Sequence, residues 1–442
     1  MRVLLLSQYL PPLKNISAVR ITEVANQFTR NGYEVIGFST NNHRYELTDH
    51  YALDPRVRIV RTNSWDFLIV RMQLKAALLR LLGKSPGTAP VLSHDGIATR
   101  SRGARMRSDF FAFLANYLPF SLLFGPGSFI YILRTFFKCL SYVEQDTIIF
   151  SSFRPYSDHL IAWMVKKARP RVTWICDFRD PHLPPNATGW FFQWHAWLNR
   201  RLFRRATVIT TVSHGIAKNL QAYNKTVRIL RNGIVGPLDD ISGMPAPSFF
   251  SITYTGMLYE GTRDPSLLFE RLSALLDAGQ IDRRHLRLVY AGKDHAIWNS
   301  FVRRYGLEDV SEAHGQLPMA EAKELQSSTC INLLLTWADR NYKGVLTGKM
   351  YEYFKAQKPI ITLINGEHDE ELEAIMRNTN AGPVLYQDSD PAEINRFLLL
   401  HYEGFLKGAT VAQIRPSTLA EFQWDQSFPA FLRETGLPVA GN

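Results

Sequence analysis

Short apolar runs alternate with helical stretches along almost the whole chain, and the alternation starts afresh near residue 250. The runs "VLLLS" (3–7), "EVIGFST" (34–40), "VRIVRT" (57–62), "TIIFSS" (147–152), "VTWICD" (172–177), "TVITTVS" (207–213) and "VRILRNG" (227–233) precede that point. "SITYTG" (251–256), "LRLVYAG" (286–292), "INLLLT" (331–336) and "PIITL" (359–363) follow it. Helical spacing lies between most of them, as over Ile21–Asn31, His195–Arg205, Ile216–Tyr223 and Pro265–Ala278. Continuous apolar strands separated by helices predict parallel sheets covered on both faces. The stretch "GPLDDISGMPAPS" (236–248) is rich in turn residues and reads as a linker. The expectation is therefore an α/β protein of two Rossmann-like, doubly wound domains, over 1–235 and 250–415, facing a cleft. In such sheets ligands bind beyond the carboxyl ends of the strands, so the loops after strands carry the chemistry.

Composition limits the partners. The 442 residues suffice for two cores, and three isolated cysteines suit neither a disulfide framework nor a zinc site. A reducing cytoplasm is the expected compartment. The opening "MRVLLLSQYLPP" reads as a first strand and not as a signal peptide. A net charge of +11 points to anionic partners. Much of the excess lies in an insertion at about 65–145. There Arg71, Lys75, Arg80 and Lys84 interleave with Phe67, Val70, Leu74, Leu78 and Leu81 at helical spacing. That pattern suits a helix lying on an anionic membrane surface, or equally a core helix with a solvated basic face. The uncharged run from Phe110 to Leu133 is broken by Asn116, Pro119 and "GPG" (125–127), so it reads as two short helices and not as a span. The basic residues sit among aliphatics without a stacking platform, so no nucleic acid is expected.

No GxGxxG follows the first strand and no P-loop occurs, which argues against a standard dinucleotide or Walker site. Other strand ends carry chemistry instead. In "SQYLPPLKNISAVR", small Ser17 and Ala18 open a helix with Arg20 one turn on, a setting that favours an anion. In "CDFRDPH", Asp177, Arg179, Asp180 and His182 crowd one strand end; the plain alternative is a salt bridge plus a helix cap. In "YTGMLYEGTRDP", Arg263 stands just before a helix, where its paired donors can meet a diphosphate. In "TGKMYEYFKAQKPIITL", Thr347, Gly348 and Lys349 can wrap phosphate oxygens, and Glu352 one turn later can accept from a ribose diol. A carboxylate that only stabilises its helix N-terminus is the alternative there. The "DSD" at 388–390 precedes Pro391 and reads as a helix cap. The histidines form no HxxxH or HExxH pair, so neither a metal nor a cofactor is expected.

Taken in order, these stretches resemble the GT-B glycosyltransferases, and within them the retaining nucleotide-sugar enzymes of family 4. The resemblance also rests on "SSFRPYSDHLIA", "VITTVSHGIAKNL", "RILRNGI", "HGQLP" and "FQWDQSFPAFL", and it covers nearly the whole chain. It implies that a C-terminal helix, about 420–435, crosses back to the first domain, and that the second domain binds the donor. It implies donor contacts from Gly256, Arg263, Gln316, Leu317, Thr347, Gly348, Lys349 and Glu352. Arg263 would neutralise the pyrophosphate, Glu352 would hold the ribose, and the backbone of Gln316 and Leu317 would meet the base. Asp180, near the transferred sugar, joins Arg263 and Glu352 as the catalytic set. Ser17, Arg20, Asp177, Arg179 and His182 fall on the acceptor side. One position departs from the family: its first signature glutamate, eight residues before Glu352, is Gly344 here.

The expected function is transfer of a sugar, with retention and without a metal, from a nucleoside-diphosphate sugar to a lipid-linked saccharide. The setting is the inner face of a membrane, in cell-surface polysaccharide or glycolipid synthesis. A nucleotide-sugar epimerase or hydrolase, and a non-catalytic nucleotide-sugar-binding protein, are the alternatives.

Overall fold

Why the strands are buried on both faces is visible in their composition. β1 (Arg2–Leu6) is Leu-rich and four of its five residues are buried; β2 (Glu34–Thr40) and β4 (Ile148–Phe153) are equally continuous. In a computed structural model, residues 1–12, 16–41, 52–63, 74, 77–81, 118–124, 127–153, 155–180, 189–241, 246–259, 261–340, 342–408 and 414–439 are described. With β3 (Arg58–Thr62), β5 (Thr173–Phe178), β6 (Val208–Thr211) and β7 (Val227–Ile229) they form a seven-stranded parallel sheet, ordered β3-β2-β1-β4-β5-β6-β7. Helices along this part of the chain include α1 (Ile16–Arg30), α2 (Phe129–Leu140), α3 (Tyr156–Ala168), α4 (Trp190–Phe203) and α5 (His214–Leu220).

The second sheet has six parallel strands, ordered β10-β9-β8-β11-β12-β13. They are β8 (Phe250–Thr255), β9 (Leu286–Ala291), β10 (Ser311–Ala313), β11 (Ile331–Ala338), β12 (Ile360–Gly366) and β13 (Val384–Leu385). Between them run α6 (Ser266–Asp277), α7 (His295–Arg304), α8 (Met319–Ser328), α9 (Gly348–Ala356), α10 (Glu370–Thr379) and α11 (Pro391–Leu406). A stack of Tyr254, Tyr290 and Trp298 fills one side of its core, with the last two rings 4.9 Å apart and nearly parallel. In each sheet the strand order reverses beside the first strand, at β1/β4 and at β8/β11. Such switch points are where open α/β sheets bind ligands.

The chain divides into two compact units. The first comprises Met1–Val212, Ala217–Leu230 and Phe428–Asn442, and the second comprises Ser213–Ile216 and Arg231–Ser427. The last helix, α12 (Trp424–Glu434), thus ends in the first unit, where the Phe428 ring meets Phe28 of α1 edge-on at 4.9 Å. Two Rossmann-like domains and a returning C-terminal helix constitute the GT-B fold.

Of the basic stretch at 65–117, only residue 74 and residues 77–81 are described. They are helical, with Leu74, Leu78 and Leu81 exposed. The rest of that stretch, and His182, lie outside the described residues. Among the described residues no helix is long and apolar enough to cross a membrane.

Candidate functional site

In the second unit, β8 ends at Thr255 and the chain leaves through Gly256, whose φ of +150° suits a residue without a Cβ. Lys349, in the first turn of α9, passes this turn: its Cε lies 3.8 Å from where a Cβ on Gly256 would stand. Its Nζ donates to Glu352 Oε2 at 2.7 Å. Gln326 of α8 donates to the same oxygen at 2.8 Å and to Thr255 Oγ1 at 2.8 Å. Gln326 is buried, while Glu352 and Lys349 are each about a third exposed. A buried amide thus fixes the carboxylate from behind, leaving its front and the ammonium open to solvent.

Arg263 follows the same loop. Its Nη1 donates to Met257 O at 2.9 Å, and its guanidinium lies 4.6 Å from the centre of the Tyr259 ring. Among the described residues its buried Nε has no hydrogen-bond partner, and neither has the Oγ1 of Thr347, the N-cap of α9. Both atoms lie on loops that follow strands of the second sheet. Gly348 adds a helix N-terminus with open space where a Cβ would be. Gln316 and Leu317 follow β10, exposed and half-buried; among the described residues no hydrogen bond joins them to this cluster.

Gly344 adopts φ +76°. Two carboxylates from the start of α10 converge on it. Asp369 accepts the Gly344 N–H at 2.7 Å. Glu371 accepts from the N–H groups of His214 and Gly215 and from Arg231 Nη1, and lies 2.9 Å from where a Gly344 Cβ would sit. A side chain at 344 would enter occupied space. Gln326, Asp369 and Glu371 were not anticipated, because no local spacing joins them to the residues they serve.

In the first unit, the ends of β1, β4, β5 and β6 gather polar groups. Arg20 and Asp177 are buried and pair bidentately, Nη2–Oδ1 at 2.7 Å and Nε–Oδ2 at 3.1 Å. Ser152 and Thr210 also donate to Asp177, and Arg20 donates to Leu230 O. Both residues therefore face inward and tie four elements together. Arg179 donates to Phe153 O at 2.7 Å, and burial lowers its pKa. Asp180 is exposed at the end of the same segment. Ser17 lies on the first turn of α1, its side chain outside the described set. Among the described residues no group of three or more His, Cys, Asp or Glu side chains could hold a metal ion.

Beside this cluster the Asp158 carboxyl is fully buried. It accepts the Gln8 N–H at 3.1 Å and the Tyr131 hydroxyl at 3.4 Å, and burial pushes its pKa to about 8. Burial pushes its neighbour His159 the other way, to about 3. A raised carboxyl pKa stabilises the fold below its ordinary value of 3.8 and loses that contribution as pH rises through 8. A lowered histidine pKa contributes above its ordinary 6.5 and is lost as pH falls towards 3. The two slopes oppose each other at mildly acidic pH. Above 6.5 only Asp158 acts, and stability should fall by up to about 1.4 kcal/mol per pH unit. Asp158→Asn should remove that slope. Urea midpoints measured between pH 6.5 and 8 check this, and a wild-type midpoint as flat as the variant's would refute it.

No protein-family model and no curated protein matches the sequence. Solved structures do match over nearly all of the chain. Sucrose-phosphate synthase from Thermosynechococcus elongatus aligns with a TM-score of 0.57 at 13% identity, covering 98% of both chains. S. aureus TarM, solved with fondaparinux, α-GlcNAc-glycerol and UDP, aligns at 0.55 and 7%, covering 98% of this chain and 99% of that one. The lipopolysaccharide outer core galactosyltransferase WaaB aligns at 0.50 and 14%, covering 98% and 100%. This chain shares the GT-B fold with them.

Proposed function

We propose that the protein is a glycosyltransferase that takes a sugar from a nucleoside-diphosphate sugar. The observation that carries this reading is the group of Lys349, Glu352, Gln326 and Thr255 at the switch point of the second sheet, with Arg263 and the α9 N-terminus on the adjoining loops. Its chemistry suits a nucleoside diphosphate. The ammonium, the guanidinium and the free N–H groups of α9 would meet charge growing on the leaving diphosphate, which is usually the largest catalytic term. Glu352, held by Gln326, would accept from the ribose diol, and the exposed loop at Gln316 and Leu317 would meet the base. UDP in the TarM structure is a ligand of this kind.

Finer parts of the proposal follow the sequence resemblance. Transfer proceeds with retention and without a metal, in the manner of family 4. Asp180 acts on the transferred sugar together with Arg263 and Glu352. The first unit takes the acceptor near Ser17, Arg179 and His182, while Arg20 and Asp177 hold the strand ends behind it. The acceptor is a lipid-linked saccharide, met at the inner face of an anionic membrane during synthesis of a cell-surface polysaccharide or glycolipid.

Thermal unfolding with UDP, GDP, ADP, CMP and dTDP tests the donor site. One nucleotide at about 100 times its dissociation constant should add about 2.7 kcal/mol to wild type. Glu352→Ala and Lys349→Ala should each lose most of that shift. No shift with any nucleotide would sink the reading. A shift without sugar transfer would favour a binding protein, and rapid turnover of the donor alone an epimerase or hydrolase.

A further inference from the structure

We propose that the outward face of α4 is a docking surface for an anionic lipid bilayer. This proposal rests on the membrane-side reading above and names the surface responsible. An ordinary surface helix turns its apolar stripe to the core and its polar stripe to water. α4 turns aromatic residues both ways. His195, Asn199, Leu202 and Phe203 face inward and are buried. On the opposite side Trp190, Trp194 and Trp197 are 78%, 37% and 47% exposed, at the spacing i, i+4, i+7 of a single face. The same stripe continues into exposed Arg200, Arg201, Arg204 and Arg205, and no acidic residue occurs from 190 to 207. The Arg201 guanidinium lies 4.5 Å from the centre of the Trp197 ring, so the charge and the ring are presented together.

Tryptophan concentrates at the level of lipid headgroups, and arginine beside it pairs with anionic phosphates. A helix with an aromatic stripe and a basic end lies in that interface. Charge decides the occupant: a cationic rim with no compensating acid fits an anionic surface and opposes a second copy of the same rim. α2 supports this choice. It exposes Phe129, Ile130 and Phe137 alongside Arg134, and it packs on α3, which packs on α4. His195 Nε2 further ties α4 to Leu118 O at 2.9 Å.

Co-sedimentation of the full chain with vesicles of phosphatidylcholine and phosphatidylglycerol tests the proposal, with pure phosphatidylcholine as the control. Wild type should sediment with the anionic vesicles, and brominated lipid should quench its tryptophan emission. Trp190→Ala/Trp194→Ala/Trp197→Ala should lower partitioning by about tenfold or more, and Arg201→Gln/Arg204→Gln/Arg205→Gln should abolish the preference for anionic lipid. Both variants should keep the nucleotide-induced thermal shift, which shows that they are folded. If the tryptophan variant sediments like wild type, the docking face is overturned and the membrane reading stands. If wild type does not sediment but still responds to nucleotide, both membrane statements fall and the donor reading survives. A wild-type dimer that the tryptophan variant abolishes, without lipid binding, would assign the face to a second copy and overturn the proposal.

Discussion

Arg20→Ala should destabilise the protein by about 3–5 kcal/mol, read as a fall in the urea midpoint. The guanidinium is the only full positive charge paired with Asp177 among the described hydrogen bonds and ion pairs; its other partners there are two hydroxyls. Removing it leaves the buried Asp177 carboxyl with only the Ser152 and Thr210 hydroxyls among its described partners, at the ends of three strands. Lysine should not rescue it, because one ammonium cannot reproduce two parallel N–H bonds. Replacing both members with uncharged side chains, Arg20→Met with Asp177→Asn, should cost less than Arg20→Ala alone. A double variant weaker than the single one would show that the pair contributes something other than mutual neutralisation.

Gly344→Glu should be the second large effect, and its direction opposes the sequence resemblance. Placing the family's glutamate at this position ought to improve donor binding if the site were merely missing one group. The structure requires the reverse. A φ of +76° strains any residue with a Cβ, and that Cβ would stand 2.7 Å from Ser213 Oγ and 2.9 Å from Glu371 Oε2. Glu371 cannot swing aside cheaply, since Arg231 and two backbone N–H groups hold it. A second carboxylate would also face Glu371 and Asp369. The expected loss is about 2–4 kcal/mol of stability, with no gain in the nucleotide-induced thermal shift. Gly344→Ala separates backbone strain and crowding from charge, and should show part of the loss. A Gly344→Glu protein that is as stable as wild type and binds nucleotide more tightly would contradict this account.

Strand–helix alternation was legible because the central strands are long, continuous and apolar, from Val3–Leu6 to Ile360–Leu363. β10 and β13 were not, because Ser311–Ala313 holds no large apolar residue and the two residues of β13 are too few for a pattern. The helix read over His195–Arg205 begins at Trp190, since its outward tryptophans blur the apolar period that would have marked its start. Lys349, Glu352 and Gly256 could be found because they stand at the ends of recognisable strands and helices. Gln326 could not, being 26 residues from Glu352 on another helix. A longer separation, 157 residues, hid the Arg20–Asp177 pair, and Glu371 of α10 likewise lies far from Gly344 in sequence.

The return of the last helix has a consequence for biosynthesis. Phe428 closes over Phe28, and the Tyr33 hydroxyl bonds Pro438 O at 2.6 Å, so the core begun around Phe28 and Tyr33 is sealed by residues some four hundred positions further on. The first unit keeps an open apolar seam until Pro438, 405 positions after Tyr33, has been synthesised. Contacts so distant in sequence are slow to form, and the seam stays open to aggregation meanwhile.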